Sequence, residues 1–76
     1  MNTIQTTEDL QNYISNRIYQ LRISQNISAR ELSLSLGMSS CYINKIENCK
    51  SLPSLRVLHE ICIFFDISIG EFFIEL

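Results

Sequence analysis

An all-α fold is what this sequence predicts, and three observations carry the prediction. Apolar residues recur at spacings of three and four rather than two. Two glycines and one proline in 76 residues leave few interruptions. Hydroxyl residues that start helices stand before each apolar-periodic stretch, at Thr6 or Thr7, Ser28, Ser39, Ser54 and Ser68. Five helices are expected, packed as one small domain over residues 1–76. A domain of this size buries only about 60% of its extended-chain surface, so its core is thin.

Helix one is expected from about Thr7 to Gln25. Thr6 or Thr7 caps it, and Glu8 and Asp9 occupy its positive first turn. Leu10, Ile14, Ile18 and Leu21 form its buried stripe, with Tyr13 beside it. Helix two starts at Ser28, where "SARE" has the form of a capping box: Ser28 and Glu31 satisfy reciprocal backbone donors. Gly37 closes it by taking a left-handed conformation, and Leu32 and Leu36 face inward. Only Gly37 and Met38 then precede the next cap, Ser39. Two helices joined by about three residues including a glycine make a helix-turn-helix, over residues 28–48.

Helix three is expected from Ser39 to about Asn48, pinned by Ile43 and Ile46. Cys49 stands where a glycine would close it. Pro53 stops any continuation, and Ser54 caps helix four, which runs to about Phe65 with Leu55, Leu58, Ile61, Cys62 and Phe65 inward. "SIGE", Ser68 to Glu71, is a second capping box and opens a short helix five with Phe72 and Phe73. No linker, repeat or low-complexity segment is evident.

Composition narrows the function. No apolar run reaches the roughly 20 residues that span a bilayer. "MNTIQTTEDL" lacks the basic head and apolar run of a signal peptide, so a cytoplasmic protein with no membrane partner is expected. Cys41, Cys49 and Cys62 are an odd set without C-x-x-C, against a disulfide framework. They do not suit zinc either. Cys41 and Cys49 are separated by a helical rise of about 12 Å, and His59 with Cys62 makes only two ligands. No metal site and no cofactor are expected. Phosphate loops, H-E-x-x-H and a Ser or Cys nucleophile paired with a base are all missing, and one histidine leaves little acid–base chemistry; an enzyme is not expected.

The formal net charge of −2 hides a segregated distribution. Arg17, Arg22, Arg30, Lys45, Lys50 and Arg56 all lie in the middle of the chain, where the only acids are Glu31 and Glu47. The remaining acids lie towards the two ends. Solvated surface charge is the ordinary explanation of such a pattern.

The order of the motifs resembles the lambda-repressor-like helix-turn-helix family, also called the XRE family. The resemblance covers Ile14 to about Phe73. It is carried by Ile18, Leu21 and Arg22; by Ser28, Glu31, Leu32 and Ser33; and by Leu36, Gly37 and Ser39. Tyr42, Ile43, Ile46, Glu47, Asn48, Cys49 and Lys50 continue it, and Pro53 and Ser54 complete it. The resemblance implies a compact five-helix domain that places its third helix in the major groove of double-stranded DNA. It implies base reading by Ser40, Cys41, Asn44 and Lys45. Asn44 suits adenine, Lys45 guanine, and Cys41 an apolar contact with a thymine methyl. Ser28, Ala29, Ser39, Tyr42, Asn48 and Lys50 match positions that meet the phosphate backbone. Ala29 stands where the family has a glutamine, so it offers only a backbone amide. Arg22 and Glu47 match a partly buried salt bridge that holds the reading helix on the core. Cys49, if left-handed, costs about 1 kcal/mol relative to glycine.

Two functions of different class follow. One is a sequence-specific transcriptional regulator, repressor or activator, that binds a palindromic operator. The other is a protein-interaction module on the same fold, for example an antitoxin component, with DNA binding weak or lost. Nothing in the sequence identifies a small-molecule effector. The segment 54–76 is apolar nearly all round, and Ile63, Phe64, Ile69, Phe73, Ile74 and Leu76 are the residues expected to form a homodimer interface.

Overall fold

A computed structural model describes residues 4–74. It has five helices in chain order: α1 (Thr7–Ser24), α2 (Ala29–Ser35), α3 (Tyr42–Glu47), α4 (Leu55–Phe64) and α5 (Ile69–Phe72). No strand occurs among the described residues. The core is built from Ile14 and Ile18 of α1, Leu32 of α2, Ile43 and Ile46 of α3, Val57, Leu58, Ile61 and Cys62 of α4, then Phe65 and Phe72. Burial pushes the Cys62 thiol above its ordinary range, with Arg17 opposing. It is a small core residue in the thiol form.

Four of the five helices start on a hydroxyl. Thr6 accepts from the Asp9 amide, and Ser54 from the Val57 amide. Ser28 and Ser68 make full capping boxes with Glu31 and Glu71, every bond between 2.8 and 3.0 Å. The bonds from the Ser28 backbone and hydroxyl hold the Glu31 carboxyl below its usual value.

The ends of α1 to α4 follow one geometry. Asn26, Gly37, Cys49 and Asp66 each take a left-handed φ, between 56 and 74°. After each, the next amide bonds back to a carbonyl five residues earlier: Ile27 to Arg22, Met38 to Ser33, Lys50 to Lys45 and Ile67 to Cys62. These are Schellman motifs, and only one is built on glycine. Asn and Asp tolerate the conformation because their short polar side chains bond locally. In two places the motif runs straight into the next cap, as "NIS" before α2 and "DIS" before α5. That economy lets five helices fit in so short a chain.

Two expectations need correction. Helix three does not begin at Ser39: α3 starts at Tyr42, and its N-cap residue, Cys41, makes no side-chain cap. The Ser39 carbonyl, not its hydroxyl, takes the Tyr42 amide. The turn after α2 is therefore six residues long, because Gly37 and Met38 are spent closing the Schellman motif. Leu55 is not inward but 75% exposed. The buried stripe of α4 runs through Val57, Leu58, Ile61 and Cys62, and Leu55 stands on its flank in the first turn. Ile69 and Phe73, both expected at a homodimer interface, are half-buried against this chain's own core and keep part of their surface exposed. Phe73 stacks on Tyr13 with centroids 5.5 Å apart.

Candidate nucleic-acid interface

α3 packs on both α1 and α2. Its inward side is Ile43 and Ile46, both buried. On its outer side Cys41, Asn44, Lys45 and Asn48 recur at i, i+3, i+4 and i+7, which is one helical stripe. All four are exposed, as are Ser39, Ser40 and Lys50. Tyr42 is half-buried, and burial with the nearby Glu60 charge raises its pKa, so it stays a neutral phenol. Ser28 is exposed and Ala29 half-buried, at the start of α2. The Asn48 amide donates to Asn44 Oδ1 at 3.3 Å. That oxygen keeps a second lone pair, and the Asn44 amide nitrogen keeps its donors.

α1 holds α3 in place. Arg22 donates from Nε to Glu47 Oε2 at 2.7 Å and from Nη2 to Oε1 at 2.8 Å, a bidentate pair. Its third nitrogen, Nη1, donates to the Ile27 carbonyl at 3.0 Å. Both side chains are nearly buried, at 11% and 12% exposure. The Glu47 bond raises the Arg22 pKa further. The pair thus links the end of α1, the entry to α2 and the end of α3.

Several residues of this framework carry no family signal. Ser15 and Asn12 share an edge of α1 with the family-matched Arg22 at helical spacing, and all three reach the end of α3. Ser15 donates to the Glu47 carbonyl at 2.8 Å, and Asn12 Oδ1 accepts from the Cys49 thiol at 3.3 Å. On the next edge, Tyr13 and Arg17 both donate to the Phe72 carbonyl, at 2.8 and 2.9 Å. Arg17 also bonds the Glu71 carbonyl and lies over the Phe72 ring. Polar residues at spacings of three, four and seven beside an apolar stripe were the available signal. Arg17 and Arg22 are therefore occupied within the fold, which leaves Arg30, Lys45, Lys50 and Arg56 as exposed cations.

Cys49 has the left-handed backbone that its position demands, with φ 59°. Cys49→Gly should relieve about 1 kcal/mol of strain but lose the Asn12 contact and gain unfolded-state entropy. A net stabilisation of about 0.5 kcal/mol, or a few degrees in Tm, is expected. A Tm several degrees below wild type would show that the thiol contact outweighs the strain.

Among the described residues no group of three or more His, Cys, Asp or Glu side chains is placed to hold a metal ion. No helix among them is long and apolar enough to cross a membrane.

Fold and site together define a helix-turn-helix protein, five helices with a short, exposed third helix held from behind by an ion pair. The chain belongs to the helix-turn-helix family of the XRE type, whose model matches residues 18–72. Among solved structures it resembles the clp gene regulator ClgR from C. glutamicum, with a TM-score of 0.78 and 21% identity, over 87% of this chain and 85% of that one. It also resembles the hypothetical transcription factor NHTF from Neisseria, with a TM-score of 0.78 and 14% identity, over 95% of this chain and 83% of that one. A comparison with curated proteins finds no match.

Proposed function

We propose that this protein is a sequence-specific DNA-binding transcriptional regulator, without enzymatic activity, that works in the cytoplasm on a palindromic operator as a homodimer. The observation that carries the reading is the exposed stripe Cys41, Asn44, Lys45 and Asn48 on a helix fixed to the core at both ends, by Ser33 at Ile43 and by Ser15 and Arg22 at Glu47. A major groove admits such a helix, and Ser40, Cys41, Asn44 and Lys45 would meet base edges there. Ser28, Ala29, Ser39, Tyr42, Asn48 and Lys50 would meet phosphates. The family membership supports the assignment, as do a solved gene regulator and a solved hypothetical transcription factor of the same fold.

One helix with few cations binds DNA weakly. Two, about 34 Å apart, engage successive major grooves of a two-fold site, and linking them multiplies affinity. The C-terminal segment, residues 54–76, is the proposed interface. Ile63, Phe64 and Ile74 are exposed there, and Ile63 and Phe64 line an open groove of about 270 Å³ with Leu36 and Glu60. Ile69 and Phe73 would contribute their exposed parts; Leu76 lies outside the described residues.

One observation favours the second reading, a protein-interaction module with weak DNA binding: Arg17 and Arg22 are spent inside the fold. Gel shift on random duplex at low salt separates the two, and sequencing of genomic fragments retained by the protein gives the operator. No shift at micromolar protein would overturn the DNA-binding reading. Lys45→Ala should cost about 1–3 kcal/mol on the operator and relax preference at one base pair. Lys50→Ala should weaken all duplexes alike and lower the salt slope by about one unit. An unchanged preference in Lys45→Ala refutes its role in base reading.

A further inference from the structure

α3 has six residues. An isolated helix needs about 12–15 to persist in water, so its ends must be completed by the rest of the protein. Its N-cap residue, Cys41, supplies no side-chain bond. Two serines from other helices do the work. Ser33 of α2 is fully buried, and its hydroxyl accepts from the Ile43 amide at 3.0 Å while donating to the Ala29 carbonyl at 2.7 Å. Ser15 of α1, also buried, donates to the Glu47 carbonyl at 2.8 Å. The amides of Asn48, Lys50 and Cys49 take the carbonyls of Asn44, Lys45 and Ile46. With Ser15 on Glu47, each of the last four carbonyls of α3 has a donor.

We propose that Ser33 and Ser15 are positioning residues for base reading: hydrogen-bonding clamps at the two ends of α3 that set its pitch on the core. Apolar packing through Ile43 and Ile46 is non-directional and does not by itself fix the roll and slide of the helix. A hydrogen bond near 3 Å, with its angular preference, removes that freedom at each end. Base contacts demand placement to within about 0.5 Å and 10–20°. Phosphate contacts through long lysines tolerate more. Loss of a clamp therefore degrades discrimination before it degrades non-specific binding.

This inference rests on the DNA-binding reading. The test uses duplexes that the full-length wild type enriches from a randomised pool. Kd for enriched and random duplex is measured for wild type, Ser33→Ala, Ser15→Ala and Ser15→Thr, below the Tm of each. In both alanine variants the preference for the enriched duplex should fall about tenfold, while random-duplex affinity changes less than about twofold. Ser15→Thr, which keeps the hydroxyl, should restore the preference. Amide exchange of Ile43 should accelerate in Ser33→Ala and stay slow in Ser15→Ala. If Ser33→Ala does not fold, the Ser15 pair decides the matter. Folded alanine variants with unchanged preference, or with both affinities reduced by the same factor, overturn the role. A wild type that enriches no duplex overturns the DNA-binding function, and this role with it.

Discussion

Glu47→Ala is expected to lose about 3 kcal/mol of folding stability. The reason is the guanidinium left behind. Arg22 is nearly buried, and two of its three bonds end on Glu47. Removing the carboxylate strands a charge that has already given up its water. A chain of 76 residues has roughly 4–11 kcal/mol of total stability, so the loss is a large fraction of it. Arg22→Leu combined with Glu47→Leu should cost less than the sum of the single changes, because neither charge remains unpaired. Urea denaturation of the three variants measures this. A Glu47→Ala midpoint equal to that of wild type would mean that the pair is solvated and that packing and the Ser33 and Ser15 hydrogen bonds hold α3 without it.

Ile63→Glu is expected to separate the proposed dimer and reduce operator affinity by about a hundredfold or more, since two linked half-site contacts become one. Ile63 is 63% exposed, so the fold of each protomer should hardly notice the change. Phe73→Glu would be a poorer probe. Phe73 stacks on Tyr13 and meets Phe72 edge-on, so a charge there would damage the protomer before any interface. Light scattering at micromolar concentration and titration of the operator decide the question. The proposal fails if the wild type is monomeric, or if Ile63→Glu still dimerises and binds normally.

The helices were legible because each carries its own start signal and an apolar stripe, both of which are local. The two capping boxes at Ser28 and Ser68 could be read letter by letter. The start of α3 could not, because its N-terminal bond comes from Ser33, ten residues away on another helix. A serine that looks like a cap, Ser39, stood nearer in sequence and misled. Leu55 was misplaced for a different reason: periodicity gives the direction of a side chain but not where the core ends. The Arg22–Glu47 contact was read from its position in a known pattern, since nothing in spacing alone joins residues 25 apart. Tyr13 and Arg17 at the Phe72 carbonyl were invisible for the same reason, across more than 50 residues.

That last contact bears on when the fold can close. Phe72 is among the largest fully buried side chains, and it belongs to a four-residue helix. Its carbonyl receives both polar side chains on one edge of α1. During synthesis α1, α2 and α3 leave the ribosome before the residue that locks α1 exists. Until α5 emerges, Tyr13 and Arg17 lack their acceptor and the core lacks one of its largest aromatic rings. A chain without α5 would keep α1 to α3 yet have no closed core to hold them steady.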